Sequence, residues 1–390
     1  MVWPFRRQEK LHSLLLESIE QHERDPLELI VEAENKQSLA EKLRPRFELR
    51  HVYSRIPHIS IRCDKKAAIE LVNLIEGQRS QNEFPGVAGI ELAHDFSAIL
   101  GNAETHSSNL WNLEDIGVRQ AHEYSRGAGA RVGIIDSGCD YSHEEIGHAF
   151  GKLKGFDFLN NSQEPRDLNG HGTHVAGTVA GSSVGVAPEA QVYALRVLDE
   201  NGSGSEADVM AAIEWALEYR LDAVNMSLGS RFATKAFERL CKHAADAGLL
   251  LIAAAGNEGF GPSYPASFDK VISVAAVDQE NRHARFSNIY RTTDISAPGV
   301  GIKSCYPGNE YAALSGTSMA APHVTGSLAL VAARAGSNAA ELLEQTAQAL
   351  STELPYDPRD VFGAGLVRAD ELAKAAYRNS KLVQLLGAAA

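Results

Sequence analysis

Four cysteines in 390 residues, Cys63, Cys139, Cys241 and Cys305, lie far apart and form no C-x-x-C pair. Free thiols in a reducing compartment are therefore the expected state. No apolar run approaches the ~20 residues that a membrane span needs. Basic residues are outnumbered, 37 Lys and Arg against 50 Asp and Glu, for a formal net charge of −13. That balance argues against nucleic acid as a main partner and for a well-solvated surface. Internal repeats and low-complexity stretches are also missing. The N-terminus carries Arg6, Arg7 and Lys10 before Leu14-Leu15-Leu16, but His12 and Glu17 cut the apolar stretch short and no small-residue cleavage site follows in time. Residues 1–26 thus read as an amphipathic helix rather than a leader. A cytoplasmic location is the expectation, with secretion as the alternative.

What is present is soluble globular material, 44% hydrophobic and 22% charged, and long enough for a large domain with a smaller companion. Residues 27–96 have a pattern of their own. Leu27–Ala33 reads as a strand, 35–44 as a short helix and 47–63 as two strands about a turn. Asp64–Gly77 reads as a helix behind a capping aspartate, and Gly89–Phe96 as a closing strand. The order β-α-β-β-α-β predicts a small ferredoxin-like module. Residues 97–110 are polar and aperiodic, a linker. Beyond them, apolar strands at 130–136, 191–197, 223–227, 249–254 and 271–277 alternate with helices beginning near His174, Glu206, Lys235 and Ser318. This predicts an α/β fold, a mainly parallel sheet with helices on both faces. The expected division is 1–26, 27–105 and 106–390.

In such sheets chemistry gathers at the carboxyl ends of strands. Asp136 directly follows the strand R-V-G-I-I. His171 sits in N-G-H-G-T-H-V-A-G, where a helix N-terminus disfavours the charged imidazole and lowers its pKa. Ser318 sits in S-G-T-S-M-A-A-P-H-V, at the mouth of a buried helix, with Pro322 placed in an early turn. A serine nucleophile needs a neutral base, and that base needs a carboxylate to fix its tautomer. Asn257, in A-A-A-G-N just past a buried strand, can aim an amide at a developing oxyanion. Taken singly, these residues read as a turn former, a capping serine and a turn asparagine; together they supply every part of an acyl-transfer site.

The stretches V-G-I-I-D-S-G (132–138), H-G-T-H-V-A-G (171–177), A-V-N-M-S-L-G (223–229), A-A-A-G-N (253–257) and G-T-S-M-A-A-P-H-V (316–324) resemble the subtilisin-like serine proteases, the subtilases, over about residues 106–370. The chain order Asp, His, Ser is the subtilisin order. The resemblance implies Asp136, His171 and Ser318 as a triad and Asn257 as the oxyanion residue. It implies a subtilisin-like sheet and a serine endopeptidase acting on protein or peptide substrates. The related sedolisins use a glutamate base and an oxyanion aspartate, and His171 and Asn257 exclude them.

The same likeness makes Ser227, Leu228 and Gly229, with Ala253, Ala254, Ala255 and Gly256, the walls of a substrate pocket. It makes Gly202, Ser203 and Gly204 the edge that pairs with extended substrate. No carboxylate lines these walls, so an apolar preference is expected. The 27–96 module resembles the family's propeptide, an intramolecular inhibitor and folding assistant removed by self-cleavage near residues 100–108. Catalysis then needs no cofactor. Structural calcium is optional, since G-S-S-V-G-V-A-P after the histidine helix lacks the longer calcium-holding loop of many members, and no metal ligands are assigned. A catalytically silent binding or chaperone protein on the same fold is the contrary reading.

Other candidates fail on spacing. His143 and His148 are five apart, about 140° off one helical face, where a zinc-protease motif needs four. His174, one turn after His171, reads as a packed structural histidine. Cys139 reads as a small buried hydrophobe rather than a regulatory thiol.

Overall fold

The computed structural model describes residues 3–78, 86–99, 110–335 and 338–387. Its first part is built of α1 (Trp3–Gln21), β1 (Leu27–Ala33), α2 (Lys36–Leu43), β2 (Glu48–Val52), β3 (His58–Cys63), α3 (Lys65–Gln78) and β4 (Val87–Leu92), followed by β5 (Asp95–Ala98). Strands β1–β4 make an antiparallel sheet in the order β2-β3-β1-β4. Both faces of this sheet are covered, and strand alternation sorts its side chains. Leu27, Leu29, Val31, Ile59 and Ile61 join the helices in one apolar core. Ile30 belongs instead to the core of the larger part. Helix α1 is no loose extension: Ile19 is fully buried in the module's core beside the partly buried Leu15 and Leu16.

The closing strand expected over 89–96 is two strands. The last rung on the module is Ala93 N–H to Glu28 O (2.9 Å). His94 then exchanges bonds with Glu206, its carbonyl accepting from Glu206 N–H (2.9 Å) and its N–H reaching the Glu206 carboxylate (3.0 Å). From there β5 leaves the module for the larger part.

That larger part contains α4 (Trp111–Asp115), α5 (Val118–Ala121), β6 (Arg131–Asp136), β7 (Gly155–Asp157), α6 (His171–Ala180), β8 (Gln191–Arg196), β9 (Ser203–Ser205), α7 (Glu206–Glu218), β10 (Ala223–Met226), β11 (Leu228–Gly229), α8 (Lys235–Asp246), β12 (Leu250–Ala254), β13 (Ile272–Val277) and β14 (Ile295–Pro298). The hairpin β15 (Ile302–Tyr306) and β16 (Glu310–Leu314) follows, then α9 (Thr317–Ala335), α10 (Ala339–Thr346), α11 (Pro358–Phe362) and α12 (Ala369–Gly387). The seven-stranded sheet runs β14-β13-β12-β10-β6-β8-β7, all pairs parallel. Its strands are buried along almost their whole length because helices cover both faces. Helix α6 starts at His171, three residues before the expected position. It is pinned to the hairpin by His174, whose Nε2 donates to Ile302 O (2.9 Å), while Ser304 Oγ donates to His174 O (2.8 Å). Burial pushes His174 down to about 3, so it stays neutral and structural.

The tight turn after α6 is closed by Glu145. Its carboxylate accepts from Ser183 N–H (2.8 Å), Ser183 Oγ (2.6 Å) and Tyr311 OH (3.1 Å). Burial raises its pKa, but these donors outweigh burial and hold it below the usual glutamate range. A carboxylate so engaged does not fit service to a cation at this turn, and among the described residues no His, Cys, Asp and Glu cluster suits a metal ion. A lowered pKa contributes stability above the unfolded value and loses it as pH falls through the folded one. Glu145→Gln is expected to cost about 2 kcal/mol at neutral pH, with the gap to the parent closing in acid. Thermal melts from pH 7 down to pH 3 check this; a gap independent of pH would show that the charge plays no part.

Candidate active site

Asp136 ends β6 and is fully buried, with Ser137 N–H on its Oδ1 (2.7 Å). His171 opens α6, and its Nδ1 lies 2.8 and 2.9 Å from the two carboxylate oxygens of Asp136. Nδ1 therefore carries the proton, and Nε2, buried without a hydrogen-bond partner, is left with its lone pair. The close approach needs Gly172: a Cβ there would lie 2.2 Å from Gly138 O. Burial disfavours the imidazolium, but the Asp136 charge and hydrogen bond, with Asp167 adding to them, raise His171 above its ordinary value. The lowering expected from the helix field is thus corrected. A carboxylate in contact exceeds a terminal dipole worth roughly half a charge.

Ser318 is the second residue of α9 and is buried. Its hydroxyl donates to Ser227 O (2.9 Å) rather than to His171. Pro322 is the sixth residue of α9, not an early-turn one. Its missing N–H deprives the Ser318 carbonyl of an intrahelical donor. Ser227 Oγ supplies that donor at 2.8 Å and is itself held by Asn225 Nδ2 (2.8 Å). Ser227 therefore braces Ser318 from both ends.

Asn257 follows β12. Its Oδ1 accepts from Thr317 N–H (3.0 Å) and Thr317 Oγ1 (2.9 Å), which fixes the amide and turns Nδ2 outward. Nδ2 donates to Ile99 O at 3.2 Å. Ile99 arrives there directly after β5, which lies antiparallel between β9 and β11 in a three-stranded sheet. Ser97 pairs with Ser203 and Gly229, Phe96 with Gly204, and Ala98 with Leu228. Ala98 N–H donates to Gly202 O (2.8 Å) and Ile99 N–H to Ser227 O (3.3 Å). The glycine edges accept a backbone where side chains cannot fit; a Cβ on Gly229 would meet the Ile99 side chain at 2.7 Å. Phe96 is buried edge-on against Phe237, centroids 5.7 Å apart. Ala254 shares an apolar cluster with Ile99, whereas Ala253, one residue earlier on β12, belongs to the opposite cluster. Gly256 serves the backbone, its N–H on Thr317 Oγ1 (3.2 Å).

Sequence pattern alone misses Thr317 in this site and the residues that join the module to the larger part. Thr317, between Gly316 and Ser318, aims Asn257. Arg50 of the module enters a buried charge cluster with body residues: its guanidinium donates to Asp208 (3.0 Å) and Phe158 O (3.0 Å) and lies 3.5 Å from Glu28. His51 Nε2 also bonds Asp208 (2.8 Å), and Ser205 Oγ donates to Glu28 (2.6 Å). Burial and the Asp208 charge raise Glu28, and burial pushes Glu206 up to about 7. Glu214 accepts Ser54 and Arg55 N–H groups (both 2.6 Å). No local signal links residues some 150 positions apart.

A family model described as "Subtilase family" matches residues 127–365. The chain belongs to the subtilase family. A thermostable alkaline protease of Halalkalibacterium halodurans is 43% identical over 281 residues, 70% of this chain and 76% of its own. Subtilisin DY of Bacillus licheniformis is 38% identical over 265 residues, 65% of this chain and 94% of its own. The minor extracellular protease Epr of Bacillus subtilis is 32% identical over 359 residues, 87% of this chain and 53% of its own. This subtilase is accordingly a serine endopeptidase with an α/β fold, and catalysis of this class needs no cofactor.

These relatives overturn the cytoplasmic location expected from the sequence. They are alkaline proteases and subtilisins, one of them named extracellular, and they point to secretion. The thiol argument fails on physical grounds: all four cysteines are free and buried, and a thiol packed away as a small hydrophobe is shielded from oxidants, so it is compatible with a secreted protein as well. No helix among the described residues is long and apolar enough to cross a membrane.

Arg50→Ala leaves Glu28 and Asp208 facing each other in a buried place. Removing one partner of a buried charged group costs about 3–5 kcal/mol, so the variant is expected to loosen the module from the body. Hydrogen exchange of β5 amides, made in a Ser318→Ala chain, reads this directly. Unchanged protection would show that the charges contribute nothing to attachment.

Proposed function

We propose that Asp136, His171 and Ser318 form the catalytic triad of this endopeptidase, that Asn257 Nδ2 and the Ser318 N–H hold the oxyanion, and that residues 1–99 are its own inhibitor, removed by cutting the bond after Ile99. The observation that carries the reading is the Ile99 carbonyl resting on Asn257 Nδ2 while β5 is paired on both sides. That is the pose of a substrate's acyl half.

In this scheme the Ser318 hydroxyl turns from Ser227 O to His171 Nε2. His171 takes the proton as Oγ bonds to the scissile carbonyl carbon, and Asp136 supports the imidazolium. The carbonyl oxygen becomes the oxyanion at Asn257, whose orientation Thr317 has set in advance. His171 then gives the proton to the leaving amine, the carbon–nitrogen bond breaks, and water releases the acyl group by the same steps. Substrates lie extended along Gly202–Gly204 and Ser227–Gly229, with a medium apolar residue before the scissile bond and an apolar or aromatic residue three places earlier, in the positions of Ile99 and Phe96. The self-cleavage window expected at 100–108 lies outside the described residues, apart from the backbone leading into it.

A fluorophosphonate is expected to label Ser318 in mature protein, and N-terminal sequencing is expected to begin at Leu100. No adduct on Ser318 would support the silent reading; a mature chain starting well beyond Leu100 would mean that Ile99 does not precede the scissile bond. The base must be neutral to act, and His171 is raised. Activity is therefore expected to rise with pH through a midpoint above the ordinary ~6.5, as read from kcat/KM on a peptide amide. A midpoint near pH 5 would contradict His171 as the base.

A further inference from the structure

We propose that Asp167 is a positioning residue for catalysis, a second carboxylate that sets the alignment of Asp136 with His171 and supports the imidazolium without touching it. The inference rests on the proposed triad. Asp167 is half-buried in the loop entering α6, and five donors converge on it. Its Oδ1 accepts from Ser137 Oγ (2.8 Å), Asn169 N–H (2.9 Å) and Gly170 N–H (2.8 Å). Its Oδ2 accepts from Thr173 N–H (2.9 Å) and Thr173 Oγ1 (2.6 Å).

These bonds close a ring around the catalytic pair. Ser137, whose N–H holds Asp136 Oδ1 at 2.7 Å, donates its hydroxyl to Asp167 and accepts Gly172 N–H (3.0 Å) with the same oxygen. Every N–H in the first turn of α6 is thereby placed: His171 on Asn169 Oδ1 (3.2 Å), Gly172 on Ser137, Thr173 on Asp167 and His174 on Gly170 O (3.2 Å). A helix start leaves these donors without intrahelical partners. In this site their partners include the strand end that carries Asp136. The end of β6 and the start of α6 therefore cannot slide past one another without breaking bonds to Asp167.

The charge acts as well. The carboxylates facing His171 are Asp136, from β6, and Asp167, from the loop; His174, on its own helix, is held neutral by burial. Asp167 thus adds a second negative potential that favours the proton on His171, matching the sign of the raised pKa. A carboxylate at a helix N-terminus is also favourable on its own account. The residue is stable where it sits and useful to its neighbour.

Asp167→Asn removes the charge and leaves one acceptor oxygen for donors that used two. With sites counted by fluorophosphonate titration, kcat is expected to fall about 10-fold, by analogy with the loss when a metal-ligating histidine is deprived of its outer partner, with KM little changed. The rising limb of the pH profile should move to lower pH. Asp167→Glu, which keeps the charge, should return the limb toward the parent. Thr173→Val, which removes one donor and no charge, should leave it unmoved. An NMR titration of His171 in the Ser318→Ala chain reads the same shift without requiring maturation. A limb unmoved in Asp167→Asn, with kcat loss tracking a lower Tm, would reduce Asp167 to a helix cap. Absence of label on Ser318 in the parent would instead fault the proposed triad itself, so the two failures are distinguishable.

Discussion

A carboxylate and an imidazole meet at 2.8 Å in a fully buried place, and the architecture around them can be read as what that contact requires. Burying an ion pair or its neutral equivalent is costly unless every remaining polar group is matched. The carboxyl end of β6 brings Asp136, the N-terminus of α6 brings His171, and Gly172 lets the two backbones close, while Gly138 admits the chain at Pro165 and Arg166. The neighbouring strands β10 and β12 end at the same edge, carrying Ser227 and Asn257. Parallel strands place all their carboxyl ends together, which is why residues 136, 227 and 257 become neighbours. Only α9 comes from elsewhere, and its missing hydrogen bond at Pro322 is filled by Ser227.

Beside this edge lies a three-stranded sheet whose middle strand is β5. β9 and β11 are three and two residues long, too short to form a sheet on their own, and β5 completes them. Such an edge recognises backbone first and side chains second. On the proposed reading, that suits an enzyme whose substrates share little but a peptide chain. On the same reading, side-chain choice then falls to the positions of Ile99 and Phe96, both buried among apolar residues.

What is legible in the sequence is what is local. The parallel strands, the module's β-α-β-β-α-β order and the helix mouths at His171 and Ser318 follow from apolar periodicity and from glycine placement. The break at Ala93-His94 is not legible, because alternation runs on from Leu92 to Phe96 and only Glu206, more than 100 residues away, diverts the chain. The sign of the His171 shift needs a distance: a helix field and a touching carboxylate compete, and spacing says nothing of which is nearer. Chemistry alone puts the Ser318 hydroxyl beside His171; the structure gives it to Ser227. Burial of the cysteines, the reason they carry no information about compartment, is likewise invisible in their spacing.

The module is attached by two kinds of contact with different consequences. Ile30, Tyr53 and Phe96 bury apolar surface in the body's core, which supplies most of the attraction. The Arg50, Glu28, Asp208 and His51 cluster adds little net attraction, because desolvation offsets it, but it admits only one orientation. That orientation aims β5 between β9 and β11. All of these contacts lie N-terminal to the bond after Ile99. On the proposed reading, cutting that bond removes none of them and relieves only the tether. The cleaved module would then keep every pairing it had, and release would depend on a second event that disrupts the buried cluster or destroys the module itself. On that reading cleavage and activation are separate steps, and the interface, rather than the active site, sets the interval between them.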